Sequence, residues 1–492
     1  MCIVGSGAGG SVAAAEIAKS GHSVLILDSG YFYKRSEFKC SESEMNKKLY
    51  QEGGSKSTID GAINILQGKS VGGGTTVNLG TCTRTSGFTL EHWEQHYGLG
   101  SKFREGLDES FASVEERLNV HGVDETSLSN NGKILLKGAR ALNLHKHILK
   151  RNVMGCAKLG YCSMGCPTNA KLGMVQTFLA DAIVDGANLI EGCHVDRIVH
   201  TGRTMNHIEA TLRSKTSGET TRIVVAPKKA LILSAGAINT PALLMKSNIM
   251  DDYNLTGKRT FLHPMVIGAS FFDEQIDPFT GIPQEVSVDV EKTPDHMGYF
   301  IETVAAHPRV SSVALGGYGD SHMKRMQQIR NLHVMDGHLI DGFDANEVCG
   351  TVKFDRQGKV GLDYQFSNKF WRSAKDMMKV MVQLGLAAGA KEAITVTENV
   401  KSFKSLEDIS SIEEGIDGIK LGPNRLFMAS AHQMGGCPMG TDEKSSVVNE
   451  RLMHRKINNL FVMDGSIFPT SIGANPQLSI MGIVHKSIQQ IL

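Results

Sequence analysis

The sequence has almost no net charge, because its 52 lysines and arginines are met by 51 aspartates and glutamates. It raises no field to steer a polyanion, and nucleic acid is excluded as an expected partner. It has no uninterrupted apolar run of about 18 residues to span a bilayer. Its start has no basic stretch followed by an apolar core to act as a secretory leader. Nine cysteines are an odd number, spread too thinly for a secreted disulfide scaffold, so a reducing compartment is expected. No repeat or low-complexity tract stands out. These absences leave a soluble intracellular protein, cytoplasmic by default, with a peripheral membrane or organellar location left open.

The 41% hydrophobic and 21% charged residues are ordinary for a globular chain, and 492 residues suggest roughly two to four units. From Cys2 to Asp28 the pattern reads strand, glycine turn, small-residue helix, strand. Gly21 is placed to end the helix, and the wholly apolar run Val24 to Leu27 suits a parallel strand covered on both faces, so a doubly wound sheet is expected. Met1 to Val4 leaves only a stub where five or six strand residues are usual, and the expectation is that upstream sequence is missing. Further strand-to-turn elements stand at Ala230 to Gly236, before a helix near Asn239, and at Leu460 to Asp464, before a carboxy-terminal helix from about Gln477. One sheet assembled from distant segments follows. Between them, Glu285 to Val290 and Val348 to Phe354 alternate as antiparallel strands do, and Ser373 to Ala390 reads as a core-packed amphipathic helix.

Gly5, Gly7 and Gly10 form G-x-G-x-x-G between a strand and a helix. Gly5 permits the tight turn, Gly7 lets the backbone approach a pyrophosphate, and Gly10 lets the helix lie close on the strand. Asp28 closes the second strand, where a carboxylate accepts hydrogen bonds from an adenosine ribose and repels a 2′-phosphate. Residues 67 to 78, QGKSVGGGTTVN, form a second glycine-rich loop whose amides suit the remote end of an extended cofactor. FAD needs such remote contacts more than NAD does.

Five motifs in order, VGSGAGG, SVGGGTTVN, LSAGAINTPALLMKS, HQMGGCPMG and MDGSIFPTSIGANPQLSI, are similar to those of the glucose-methanol-choline oxidoreductases over nearly the whole chain. FLHP at 261 to 264, HQMGGCPMG and the late Asn-Pro make it resemble the branch of long-chain alcohol oxidases and cholesterol-oxidase-like enzymes. The resemblance implies an α/β protein: a Rossmann-like FAD-binding domain built from discontinuous segments, plus an α+β substrate domain with an antiparallel sheet. The expected division is 1–100, 176–262 and 431–492 for the FAD-binding parts, 101–175 for a connecting region with a cysteine cluster, and 263–430 for the substrate domain. Carried over residue by residue, Gly5, Gly7, Gly10 and Asp28 hold the ADP half, with Val195 near the adenine. Gly72, Gly73, Gly74, Thr75 and Asn78 match the loop beside pyrophosphate and flavin. Ala235 and Gly236 match a second turn, and Asp464 and Gly465 match a backbone contact to the cofactor. His432 and Asn475 match the two active-site positions, and the helix after Pro476 is expected to aim its N-terminus at the flavin's pyrimidine edge.

The implied activity is oxidation of a small-molecule alcohol, apolar, long-chain or sterol-like, with dioxygen or another acceptor. The reaction needs a base at the hydroxyl and an acceptor for the hydride. His432 is the expected base and Asn475 a non-titrating donor to the substrate oxygen, while His263 is expected to shape the substrate domain. A dehydrogenase passing electrons to a quinone or redox protein, and a lyase that keeps its flavin, are the alternatives. Cys156, Cys162 and Cys166 resemble the spacing of iron-sulfur ligands in some family dehydrogenases, but three thiols fall short of the usual four. Reduced thiols or a Cys162 to Cys166 disulfide are expected instead, and no metal.

Overall fold

The computed structural model describes every residue except 345, 346, 348, 408 and 492. Its first sheet is parallel and five-stranded, in the order Leu460–Val462, Leu231–Leu233, Cys2–Val4, Leu25–Leu27, Asn188–Ile190. All five strands are short, and all but Asn188–Ile190, which begins on an exposed asparagine, are wholly apolar. Ile3, Ile26 and Ile232 stand in register across the middle and are fully buried, each contributing about 1.5–3 kcal/mol by leaving water. Helix Ala8–Lys19 packs through its small residues against helices Phe178–Val184 and Gln477–Gln489. Gly21 follows the helix end with φ 81°, a conformation costly to any residue with a Cβ.

Helices on both faces were the expectation, and here the structure differs. An antiparallel meander, Cys193–Thr201, Thr204–Arg213 and Thr220–Val225, contributes Val195, Ile198, Ile208 and Ala210 to the same core. An apolar strand needs cover on both faces, but strands supply it as well as helices do.

The main path of the nine-stranded second sheet is antiparallel and runs Ser402–Phe403, Glu392–Thr395, Met265–Phe271, Leu332–Leu339, Tyr299–Thr303, Val286–Val290, Lys146–Ile148; Met428–Ser430 pairs with Met265–Phe271 and, in parallel, with Asn64–Ile65. Its alternation sorts the side chains. Tyr299, Ile301, Met335 and Leu339 pack with Phe370, Met377 and Met381 of helix Asn368–Ala387. Met265, Ile267, Leu332 and Val334 point the other way, into a cavity. The long helix thus starts and ends a few residues earlier than its sequence pattern suggested, with Ser367 capping it by accepting from the Phe370 amide. Thr351–Phe354 pairs with Val360–Asp363 in a separate hairpin rather than in the large sheet, and Val348 lies outside the described residues. Among the described residues, no helix is long and apolar enough to cross a membrane.

Candidate active site

A cavity of about 1310 Å³ runs from the first glycine turn, past the second glycine loop, to the face of the antiparallel sheet. That exceeds the roughly 300–1,000 Å³ of a single small-ligand pocket, leaving room for an extended cofactor and a substrate together. At the dinucleotide end Gly5 has φ 99°, and a Cβ there would lie 2.2 Å from the Ser234 carbonyl oxygen. At Gly10 a Cβ would lie 2.0 Å from the Gly5 carbonyl oxygen, so this glycine sets the approach of helix to strand and does not itself line the cavity. Gly7 is different: a Cβ would meet only the Gly73 Cα, at 3.8 Å. Its openness faces the cavity, as a site for a pyrophosphate requires. Gly9 was missed by the motif, and it is the most crowded of the set, its Cβ position being 1.8 Å from the Met463 carbonyl oxygen.

Asp28 is buried and spends much of its carboxylate on its own chain. Oδ2 accepts from the Ser6 amide at 2.8 Å and the Ser6 hydroxyl at 2.6 Å, and Oδ1 accepts from the Gly30 amide at 2.7 Å. Burial pushes its proton affinity up, and these donors oppose the rise. It still lines the cavity, as Val195 does. The Ser6 hydroxyl in turn accepts from the Gly72 amide at 2.9 Å, so Gly72 ties the two glycine loops together and is not a lining residue. Gly73, Gly74, Thr75 and Asn78 do line the cavity. Asn78 donates to Gln477 Oε1 at 2.7 Å, while its own Oδ1 is buried without a partner, an acceptor left for a bound group. Ala235, Gly236, Gly465 and Pro476 line the middle. Asp464 holds that stretch in place, accepting from the Gly236 amide at 2.9 Å and the Ser466 amide at 2.8 Å.

His432 and Asn475 meet at the far end, with Asn475 Nδ2 and His432 Nε2 3.5 Å apart. His432 follows strand Met428–Ser430, where the Ser430 hydroxyl donates to the Leu262 carbonyl at 2.6 Å. Asn475 sits in the turn leading through Pro476 into helix Gln477–Gln489, whose first turn lines the cavity. His263 is more than a shaping residue. It is fully buried at φ 44°, held there by Asp341, which accepts the Leu262 amide at 2.9 Å and the His263 amide at 3.2 Å. The Gly473 amide donates to His263 Nε2 at 3.2 Å, which puts the His263 proton on Nδ1, 3.4 Å from His432 Nδ1. His432 thus presents Nδ1 to His263 and Nε2 to Asn475. Burial, with the nearby His338 adding to it, holds His432 well below the ordinary histidine range.

Four residues that sequence reasoning did not single out complete the site. Glu302 stands opposite Asp336, and Phe300 opposite His338, on adjacent strands, so all four share the cavity-side face of the sheet. Glu302 Oε2 accepts from Asn475 Nδ2 at 3.1 Å and from Gln284 Nε2 at 2.9 Å, fixing the amide of Asn475. Burial, reinforced by Asp336, pushes Glu302 up to about 8. Burial raises Asp336 well above its ordinary value too. His338 stacks on His432 with ring centres 4.9 Å apart and is lowered by burial to about 3. The local alternation of YFIET and HVMDGHL could have marked these residues, but only their register brings them together.

The cysteine cluster lies beside the second glycine loop. Lys171 is buried there, lowered by burial to about 8, and donates to the carbonyls of Thr76, Asn78 and Cys162 at 2.9, 2.6 and 2.9 Å. All nine cysteines are free, the reduced-thiol alternative of the two expected, and Cys162 and Cys166 form no disulfide. Arg151 Nη2 lies 3.5 Å from Cys162 Sγ. Burial pushes the Cys166 thiol up, but hydrogen bonds from Thr168 and the Lys171 amide outweigh it and leave the thiol below its usual range. Two cations thus stand beside Cys162 and Cys166, and the segment braces the loop through Lys171.

Comparison with known proteins gives the family and the fold. Residues 46–265 and 350–483 match family models described as GMC oxidoreductase, and residues 3–31 match an NAD(P)-binding Rossmann-like domain. The chain is 30% identical to the long-chain-alcohol oxidase FAO4A of Arabidopsis thaliana, over 98% of this chain and 67% of that one. It is 29% identical to the uncharacterized GMC-type oxidoreductase Rv0492c of Mycobacterium tuberculosis, over 98% and 74%. It is 23% identical to a cholesterol oxidase of Acinetobacter baumannii, over 99% and 93%. Among solved structures, pyridoxine 4-oxidase from Mesorbium loti shares the fold with a TM-score of 0.72 at 14% identity, covering 99% of this chain and 98% of that one.

Proposed function

Since the chain belongs to the GMC oxidoreductase family and is an FAD-dependent oxidoreductase, we propose that it oxidises the CH–OH group of an apolar alcohol, long-chain or sterol-like, at His432 and Asn475. The observation that carries this reading is the continuity of the cavity. Past His432 and Asn475 its wall is Met265, Ile267, Val304, Leu315, Leu332 and Val334. An apolar chain gains by leaving water there, while its hydroxyl reaches the polar pair. Gly7, Gly73, Gly74, Thr75 and the orphan Oδ1 of Asn78 fit the FAD phosphates and flavin, with Asp28 and Val195 at the adenosine end. Bound FAD supplies the hydride acceptor.

The residues of the chain do the rest. A hydroxyl oxygen roughly 2.9 Å from both His432 Nε2 and Asn475 Nδ2 closes a triangle on their separation. Asn475 has two amide hydrogens: Glu302 takes one and the other is left for the substrate oxygen. His432 takes the hydroxyl proton as base. A base at Nε2 needs its own proton on Nδ1, the nitrogen that faces His263. The first turn of helix Gln477–Gln489 brings its unpaired amides to the same wall, where they favour developing negative charge. Dioxygen as the final acceptor is the reading favoured by the named relatives. Oxygen uptake compared with quinone-dye reduction tests it: dye reduction without oxygen uptake would make the protein a dehydrogenase. His432→Ala should lower turnover by about 10²–10⁴-fold, and a loss of only a few-fold would remove the base from this histidine.

A further inference from the structure

Away from the cavity, His145 and His147 stand two residues apart, so an extended chain puts both imidazoles on one side. Strand Lys146–Ile148 ends the main path of the antiparallel sheet, and the Asp289 amide continues the pairing by donating to the His145 carbonyl at 3.2 Å. His147 lies opposite Ser287, and Ser287 opposite Glu302. The histidines therefore share a face with Glu302 but lie two strands outward, and neither they nor Asp289 line the cavity.

The three side chains converge. His145 Nδ1 lies 3.1 Å from Asp289 Oδ2, and His147 Nδ1 lies 3.0 Å from the same oxygen. A ligand atom of each residue lies within 4.8 Å of the other two. Ligands about 2.0–2.1 Å from a zinc ion stand about 3.3 Å apart at the tetrahedral angle and about 2.9 Å apart at a right angle. Both nitrogen-to-oxygen distances fall between those values. The imidazoles, 75% and 43% exposed, are free to swing their nitrogens the rest of the way. Asp289 is the steadier partner. The Ser287 hydroxyl donates to its Oδ1 at 2.8 Å and leaves Oδ2 to the histidines, as the outer hydrogen bond of a metal-bound carboxylate does. Two imidazoles and one carboxylate suit a borderline ion of the zinc kind, whereas calcium and magnesium take oxygen ligands. Among the described residues one other group of three has such spacing, Glu302, Asp336 and His338, and it belongs to the active site.

We propose that His145, His147 and Asp289 bind a divalent transition-metal ion of the zinc class, with water in the remaining position, and that the ion fastens the edge strand to the sheet. The strand is only three residues long. The ion links residues about 140 positions apart, and a link that closes so long a stretch removes much freedom from the unfolded chain. The site depends on neither the flavin nor the alcohol, so its test is read without turnover.

The test is calorimetric titration of the untagged, FAD-loaded full chain with Zn²⁺ after chelator treatment. The wild type should take up one Zn²⁺ per chain at micromolar concentration. His145→Ala combined with His147→Ala should weaken that binding at least about a hundredfold, and Ser287→Ala, which only frees the carboxylate, about 10–100-fold. Cys162→Ser combined with Cys166→Ser should leave it in place. Co²⁺ as the probe should give a visible spectrum without a thiolate charge-transfer band. Hydrogen exchange at the Asp289 and Leu149 amides, which donate to His145 and Glu285 across the edge, should slow on adding Zn²⁺ to the wild type and not to the double histidine variant. No Zn²⁺ bound at micromolar concentration, an equivalent that survives loss of both histidines, or a thiolate band from the one bound Co²⁺ each overturns the site. Unchanged exchange at the two amides with the ion bound overturns the fastening.

Discussion

Replacing Glu302 by glutamine tests the electrostatics of the site at its least expected point. Glu302 lies fully buried beside Asp336, with the His338 imidazole 3.9 Å away and held neutral by its own burial, and its proton affinity is raised from the ordinary 4.5 to about 8. At neutral pH it is therefore a carboxylic acid, and Glu302→Gln is nearly isosteric and keeps an acceptor for Asn475 and Gln284. The sign follows from proton counting. Between pH 4.5 and about 8 the unfolded chain has released this proton while the folded chain still holds it, so raising the pH favours unfolding. The stability is fully present below the unfolded value and lost as pH rises through the folded one. At 1.36 kcal/mol per pH unit the loss reaches about 4 to 5 kcal/mol. Infrared difference spectroscopy should find a protonated-carboxyl band that disappears with a midpoint near 8 in the wild type and is missing from the variant. Denaturation at pH 6 and 9 should show a pH penalty smaller in the variant by about 2 to 3 kcal/mol, the part of the loss that falls above pH 6. A wild-type carboxyl already ionised at pH 6, or equal pH penalties, would refute the reasoning. Because Asp336 is raised as well, the pair titrates jointly, and the variant-minus-wild-type difference is the quantity to read.

Gly9→Ala should fold poorly or lose several kcal/mol, because its methyl meets the Met463 carbonyl, whereas Gly7→Ala should keep its melting temperature and lose FAD affinity; equal effects on both would contradict the assignment of Gly7 to the cofactor. Nitrogen-15 spectra of the flavin-free protein should find His432 neutral at pH 6, and a charged imidazolium there would contradict the effect assigned to its burial. Asn475→Asp brings a second carboxyl against Glu302 and should cut turnover more than Asn475→Ser does, reversing toward low pH as the pair regains protons; a pH-independent loss would argue against the contact.

The dinucleotide end was legible in the sequence because its glycines answer to local sterics: Gly5 and Gly10 are needed wherever a strand turns tightly into a closely packed helix. Asp28 stands where its strand ends and lines the cavity, but its bonds to Ser6 and Gly30 depend on which turn lies across from it. The parallel sheet followed from short apolar runs, while its cover did not, because helices and strands can bury the same face. At the catalytic end the order of motifs led to His432 and Asn475. Glu302 and Asp336 could not be found the same way, since residues 34 positions apart become neighbours only through antiparallel register, and each looks like an ordinary strand residue alone. His263 was underestimated for a related reason: its left-handed backbone is imposed by Asp341, far along the chain.

The service of His432 and Asn475 in oxidising an apolar alcohol is tested most directly by following the flavin's visible band without oxygen. Long-chain, sterol, sugar and aromatic alcohols would each be added to the purified wild type and to His432→Ala. The expected result is rapid bleaching of the wild type by a long-chain or sterol alcohol, and bleaching about 10²–10⁴-fold slower in the variant. A bound flavin that sugars or aromatic alcohols bleach while apolar ones do not, or that none bleaches, would contradict it.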